Sequence, residues 1–109
     1  MSNEWDWELQ QNQTAYTVAE LIKQNGGLEG ANITLDMEFD PTGDADTVTL
    51  EKALRTFGYD VRVATGGALQ ASISDIAFTF ESIWTHEERT TKMALSRGFQ
   101  PDGWGFWEP

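Results

Sequence analysis

The clearest pattern in the chain is a segment, residues 32–40, in which apolar and polar side chains alternate strictly. The apolar positions are Ile33, Leu35, Met37 and Phe39. The polar positions include three acids, Asp36, Glu38 and Asp40. Successive side chains of a strand point to opposite faces, so this pattern predicts a strand with one face on a core and the other wet and acidic.

Three further segments carry strand signals. Alternation from Tyr59 to Val63 predicts a second strand that runs to the turn at residues 66–67. Residues 68–84 are apolar at odd positions before Ser74 and at even positions afterwards, so we expect a bulge or break near Ser74-Asp75. Phe99 to Trp107 predicts the last strand, and Pro101 places its beginning at a sheet edge or outside the ladder.

Spacings of three and four residues predict three helices. The first carries its apolar stripe over residues 15–22. The second runs to Phe57 and is followed by Gly58, and the third runs from a capping box at residues 85–88 to Arg97. The candidate caps are Asn12 or Thr14 for the first helix, Asp44 or Asp46 for the second, and Thr85 for the third.

This order of elements predicts an α+β ferredoxin-like sandwich, in which helices cover one face of a four-stranded antiparallel sheet and an extra helix precedes the first strand. We expect a single domain over residues 12–109. Residues 1–11 are acidic apart from Trp5, Trp7 and Leu9, and form an arm before it. That arm is interpreted as a frayed terminus, a short strand or an extended sticky segment.

Charge and composition narrow the function classes. Eighteen acids against seven bases give a formal net charge of −11, which disfavours direct contact with nucleic acid or anionic membranes and favours a basic protein partner. The chain has no cysteine, so disulfides and thiolate chemistry are excluded. No apolar run is long enough to span a bilayer, and the first residues are acidic where a signal peptide is basic, so a cytoplasmic location is expected.

Candidate catalytic and metal-binding residues are sparse. The single histidine, His86, falls in the predicted first turn of the third helix, where we expect a surface side chain without a nucleophile beside it. Asp40, Asp44 and Asp46 crowd one loop but lack the EF-hand pattern. No phosphate-binding glycine motif is present. We therefore predict no catalytic residues, no cofactor and no metal.

The C-terminal segment, residues 102–109, holds three large aromatics, which are improbable in a disordered tail. They are Trp104, Phe106 and Trp107. The neighbouring glycines, Gly103 and Gly105, have two interpretations: they make room for Trp104 to cross into the core, or they belong to an aromatic docking surface. Both can hold, because alternate strand residues face opposite ways.

The motif Asp102-Gly103-Trp104-Gly105, placed just after a helix that ends at a glycine, resembles the terminal motif of the regulator of ribonuclease activity B family, the ribonuclease E inhibitors. The junction Phe57-Gly58-Tyr59-Asp60-Val61, the strand 33–39 with its acidic loop, and the first helix with its stop at 25–27 resemble other parts of that family. The resemblance covers roughly residues 12–107. It departs at the Trp5-Asp6-Trp7 arm, near Ser74 and at residues 99–101.

The resemblance implies a ferredoxin-like fold and a protein that inhibits a ribonuclease E-type endonuclease by binding it. From the residues themselves we expect a non-enzymatic protein-binding module. The candidate contact residues are Trp104, Phe106, Trp107, Asp36, Glu38, Asp40 and Asp44. Two alternatives remain: a self-associating structural protein, such as a homodimer, and a small-molecule binder or minor enzyme with His86 as its acid-base candidate.

Overall fold

A computed structural model describes residues 5–108. The helices and strands follow each other as α1 (Trp7–Gln24), a short 3₁₀ turn (Gly26–Leu28), β1 (Asn32–Pro41), α2 (Thr47–Thr56), β2 (Asp60–Val63), β3 (Leu69–Ala77), α3 (Phe80–Leu95) and β4 (Phe99–Trp107). The predicted α+β ferredoxin-like architecture, with one helix ahead of the first strand, is confirmed.

The four strands form one antiparallel sheet in the order β2-β3-β1-β4. β1 is therefore an inner strand that pairs with both β3 and β4, while β2 and β4 lie at the edges. The apolar side chains of β1 are fully buried in the core, where α3 contacts β1, α2 contacts β2 and α1 packs beside α3. One face of the sheet is thus covered, and the other, which we call the open face, carries no helix of the described chain.

The core between the sheet and the helices is apolar and closely packed. Its largest fully buried apolar side chains are Ile33, Leu35, Met37, Phe39, Leu50, Leu54, Leu69, Phe78, Ile83 and Phe99. β1 contributes four of them, as its alternation predicts. On β4, Phe99 is buried while Trp104 and Phe106 are half-buried against the core, and the rings of Phe106 and Phe78 are 4.7 Å apart.

The expected irregularity in β3 is confirmed. Ile33 pairs with Ile76 and Leu35 pairs with Ile73, so Ser74 and Asp75 together face one residue of β1. Asp75 has φ +62°, the one non-glycine residue with positive φ in the described chain. This bulge keeps Ile73 and Ile76 against the core in spite of their different parity.

The first helix begins earlier than expected. It starts at Trp7 instead of Asn12 or Thr14, because the Asp6 carboxylate accepts the Leu9 amide at 3.0 Å and caps it. Most of the expected N-terminal arm is therefore helical or part of a cap, and residues 1–4 lie outside the described chain. The cap of α2 agrees with one of its two candidates, because the Asp46 carboxylate accepts the Thr49 amide.

The third helix also begins earlier, at Phe80, and the predicted capping box at Thr85 was wrong. Thr79 is the N-cap, and its hydroxyl accepts the Ser82 amide at 3.1 Å. Thr85 lies inside the helix, where its hydroxyl donates to the Glu81 carbonyl. The strand expected to continue to Trp84 ends at Ala77, because Phe78 turns into the core and Phe80 already belongs to α3.

Candidate functional site

The open face of the sheet carries acids from β1 and from β2, with β3 between them. Asp36, Glu38 and Asp40 occupy the open-face positions of β1, half-buried or exposed. Asp60 on β2 pairs with Ser72 on β3, which itself pairs with Asp36, so the three lie in one row across the sheet. The Ser72 hydroxyl donates to the Asp36 carboxylate at 2.6 Å and holds its orientation.

The row beside it carries Arg62, the one base that residues 5–108 place on this face. Arg62 on β2 pairs with Gln70, and Gln70 pairs with Glu38 on β1. Glu38, Asp40, Arg62 and Asp102 line a shared shallow depression. The face therefore has a negative net charge, because one arginine lies among five acids: Asp36, Glu38, Asp40, Asp60 and Asp102.

Gly103 and Gly105 leave the β4 side of this face bare. They pair with Glu38 and Asp36, and a Cβ built on either would meet no atom within 4 Å. The interpretation that these glycines make room for Trp104 is therefore wrong. Gly103 has φ +114° and lies at the register shift opposite Glu38 and Phe39, so it serves the bulge, while Gly105 leaves the surface beside Asp36 open.

The three C-terminal aromatics do not share one surface. Trp104 and Phe106 turn toward the helices and pack against the core, and the Trp104 indole N–H lies 3.4 Å from the Thr14 hydroxyl of α1. Trp107 points the other way, pairs with Thr34 of β1 and keeps 55% of its surface exposed. Of the three, Trp107 is the aromatic that lies on the open face.

Asp44 lies apart from the other candidate contact residues. It is exposed in the loop between β1 and α2, where its backbone contacts the Gly98 region. It shares a separate depression with Asp46 and Arg97. The structure thus places Asp36, Glu38, Asp40 and Trp107 on one face, and Trp104, Phe106 and Asp44 elsewhere.

A buried carboxylate that the sequence pattern did not indicate lies between α1 and α3. Glu87 is 7% exposed, and its two oxygens accept the Thr14 hydroxyl at 2.6 Å and the Gln10 amide at 2.9 Å. The Gln10 side chain also donates to Thr91 at 3.2 Å and accepts the Trp5 indole N–H at 2.7 Å. We call Trp5, Gln10, Thr14, Glu87 and Thr91 the Glu87 network.

Burial raises the pKa of Glu87 above its ordinary value, and the hydrogen bonds from Thr14 and Gln10 offset this only in part. Both donors are neutral. Within residues 5–108 no lysine, arginine or histidine forms an ion pair with Glu87. Its charged form is therefore stabilised by dipoles alone.

A cavity of about 520 Å³ opens next to this network, between the start of α1 and β4. Glu87 and Asp6 contribute carboxylates to its lining, and Trp5 and Trp104 contribute indoles. In the sequence, the signal for the helix face beside this cavity is the four-residue spacing of Gln10, Thr14 and Val18, all of which are buried. That spacing marks a helix face even though two of its members are polar.

His86 is not the free surface residue that we expected. It lies within α3, half-buried, with its Nδ1 2.7 Å from the Tyr59 hydroxyl. Desolvation, together with nearby Arg89, lowers the pKa of His86, and desolvation raises the pKa of Tyr59. The pair is therefore neutral at pH 7, and its contact fixes α3 against the start of β2.

Residues 5–108 contain neither a metal-binding cluster nor a helix that could cross a membrane. No group of three or more histidine, aspartate or glutamate side chains in that range is arranged to hold a metal ion. In the same range, no helix has both the length and the apolar character needed to cross a bilayer.

No protein-family model and no curated protein matches this sequence. The resemblance to the ribonuclease E inhibitors therefore rests on the Asp-Gly-Trp-Gly motif and the order of the junctions alone. Function has to be argued from the geometry of the open face and of the cavity.

Proposed function

We propose that this protein is a non-enzymatic binding module that holds a basic protein segment on the open face of its sheet. The observation that carries the proposal is the collection of acids from β1 and β2, on either side of β3, on a face that no helix of the described chain covers: Asp36, Glu38, Asp40 and Asp60. Charge of one sign on a surface speeds the encounter with an oppositely charged partner and suppresses wrong ones.

Two further features of the face support the same function. Trp107 supplies an exposed aromatic at one end, and tryptophan is enriched among residues whose truncation weakens interfaces most. The bare surface at Gly103 and Gly105 lets a partner approach the β4 backbone closely. Acids then steer the encounter, and Trp107 slows dissociation.

The partner class follows from the family resemblance: a ribonuclease E-type endonuclease, inhibited by occupation of a basic segment outside or beside its catalytic site. The consequence in the cell would be slower RNA turnover, and the place of action the cytoplasm. Binding without catalysis agrees with the engagement of His86 by Tyr59, which leaves its Nδ1 occupied.

A titration of a purified ribonuclease E-type endonuclease by calorimetry tests this proposal. The triple variant Asp36→Asn, Glu38→Gln, Asp40→Asn should bind at least about tenfold more weakly, since each lost close charge pair is worth a few tenths to 1 kcal/mol or more. Binding of the original chain should also weaken as salt is raised from 50 to about 300 mM. Trp107→Ala should raise the dissociation rate.

The matched control is the triple variant Glu8→Gln, Glu29→Gln, Glu81→Gln, which removes the same charge from exposed positions away from the open face. It should retain affinity within about twofold, because long-range steering alone is screened. Equal weakening by both triple variants would show that net charge, not this face, is responsible. Absence of binding by the unaltered chain would reject the endonuclease as partner.

Self-association is the second candidate function, and the position of β4 favours it. β4 is an edge strand whose outer backbone groups face no neighbour within the described chain, and exposed Trp107 lies at its end. Sedimentation equilibrium from about 5 to 500 μM distinguishes the two. A concentration-dependent dimer that Trp107→Ala dissociates supports this second function, whereas a monomer at all concentrations rejects it.

A further inference from the structure

The cavity between α1 and β4 is separate from the open face. It lies on the helix side of the sheet, where Trp104 turns inward and the first turns of α1 pass over β4. Its volume of about 520 Å³ is within the range of sites that hold small organic molecules or single side chains. The acids of the open face and Trp107 do not line it, and Gly103 borders both the cavity and the open face.

Among the polar groups that line this cavity is the buried carboxylate of Glu87. Each Glu87 oxygen accepts one hydrogen bond, from Thr14 or from Gln10. A carboxylate has about four acceptor sites, so a donor in the cavity can still be accommodated. Because the bonds already present come from neutral groups, the group that gains most from this position is a positively charged donor.

The remainder of the lining suits an organic cation better than a metal ion. Trp5 and Trp104 provide indole surfaces, and ammonium and guanidinium groups are attracted to tryptophan rings. The same indoles can cover an apolar stem. Asp6, the other titratable lining residue, adds a second negative charge at the rim from α1, and the β4 part of the wall contributes no titratable group.

The walls are also fixed in advance. The Trp5 indole N–H donates to Gln10, and the Trp104 indole N–H points to Thr14, so both rings are tied to residues that themselves hold Glu87. A preformed wall reduces the ordering cost of binding. We infer that this cavity binds an organic cation, a guanidinium or ammonium group on an apolar stem, with Glu87 as its anion and Trp5 and Trp104 as its walls.

Such a group has two sources: the arginine or lysine side chain of a polypeptide, or a free small amine. Two probes separate them. N-acetyl-arginine amide presents the side chain as a peptide does, and agmatine presents the same guanidinium on a stem that ends in a free ammonium group instead of the peptide groups. N-acetyl-citrulline amide, which has the same shape and no charge, is the neutral control.

The experiment is a titration of the full chain followed by the indole N–H signals in ¹H–¹⁵N correlation spectra, at about 150 mM salt to screen general attraction to the acidic protein. The signals of Trp5 and Trp104 should shift with a guanidinium probe. The signal of Trp84, which packs against Trp7 and does not line the cavity, is the internal reference. The citrulline compound should bind at least about tenfold more weakly, as expected for loss of a charge-assisted hydrogen bond.

Two variants locate the anion. Glu87→Gln should weaken the guanidinium probe by about tenfold or more, while Glu88→Gln, an exposed neighbour with the same charge change, should alter it by less than about twofold. Should Glu87→Gln disturb the fold, Gln13→Trp provides a second variant: it keeps Glu87, starts from an exposed rim position and fills the cavity mouth. It should abolish the shifts.

Each outcome decides the matter. Stronger binding of N-acetyl-arginine amide assigns the cavity to a side chain of a polypeptide, and stronger binding of agmatine assigns it to a free amine. Equal shifts with the citrulline compound, equal effects of the two glutamate variants, or no shift of Trp5 and Trp104 with any probe would overturn the inference.

Discussion

Among the glycines of the chain, Gly98, between α3 and β4, is the one at which an added Cβ would collide with backbone atoms, so the cost of a substitution there can be worked out. Gly98 has φ +83°. A Cβ at this position would fall within contact distance of the Asp44 carbonyl group and 2.7 Å from the Ala45 Cα. These are backbone atoms, which cannot swing aside as a flexible side chain can.

Gly98→Ala therefore lowers the free energy of unfolding in two separate ways. The left-handed backbone costs an alanine about 1–2 kcal/mol. Relief of the clash requires the loop of residues 42–46 to move away. That loop is bound by the Thr42 amide and hydroxyl, which both donate to the Gly98 carbonyl at 2.7 Å, and by the Asp46 amide, which donates to Arg97 at 2.8 Å. Loss of these three hydrogen bonds adds about 2–4 kcal/mol.

Gly58→Ala is the matched control. Gly58 has φ +93° and also follows a helix, but a Cβ there meets nothing within 4 Å. Gly58→Ala should lower the free energy of unfolding only by the cost of the left-handed backbone, about 1–2 kcal/mol, whereas Gly98→Ala should lower it by about 3–6 kcal/mol. The free energy of unfolding of a domain of this size is roughly 5–15 kcal/mol, so Gly98→Ala is at the limit of folding.

Urea unfolding, followed by tryptophan fluorescence and by circular dichroism, measures both values. The two probes must give coincident transitions for the free energies to be comparable. Equal losses of unfolding free energy in the two alanine variants would refute the reasoning. They would show that residues 44–45 move away from a side chain at position 98 without any cost in stability.

Two further predictions concern α3. Burial raises the pKa of Glu87 in the folded protein above its ordinary value. The cost of its charge is therefore absent below the unfolded pKa and grows as the pH rises through the folded pKa. The free energy of unfolding relative to Glu87→Gln should fall from pH 4 to pH 8 in urea titrations, and Glu88→Gln should still show this fall. Thr79→Ala should cost about 1 kcal/mol in thermal unfolding, since Thr79 caps α3, whereas Thr85→Ala should cost close to nothing. Equal losses for the two threonine variants would contradict the observed start of the helix.

The strands were predictable where burial follows a simple alternation. β1 alternates from Asn32 to Asp40, and the structure extends it by only one residue, to Pro41. β4 was predicted with the bounds that it has, Phe99–Trp107. The bulge at Ser74-Asp75 was predictable for the same reason, because a change in the parity of apolar positions has to be absorbed somewhere in the backbone.

The helix starts were less predictable because buried polar residues occupy the helix faces. On α3 the buried positions include Glu87, Thr90 and Thr91 as well as Ile83. A search for apolar side chains finds too few of them and places the helix late. On α1, Gln10 and Thr14 have the same effect. Their burial depends on partners more than seventy residues away, and no local pattern contains that information.

The candidate site was predictable in part. The acids of β1 were predicted because alternation defines which side of a strand they occupy. Trp107 was predicted as one of three C-terminal aromatics that are improbable in a disordered tail, and the sequence did not tell which of the three is exposed. The cavity was missed altogether. It depends on the contact of α1 with β4 through Thr14 and Trp104, a tertiary arrangement that follows only once α1 begins at Trp7.

The inner position of β1 also bears on how the molecule folds and how it fails to fold. β1 can pair with β3 early, but its other edge stays open until β4, the final strand of the described chain, arrives. Closure of so long a loop is slow relative to local pairing. In concentrated solution the β4 of a second molecule competes for that edge, so exchange of the terminal strand between two copies is the expected misfolded product of refolding at high protein concentration.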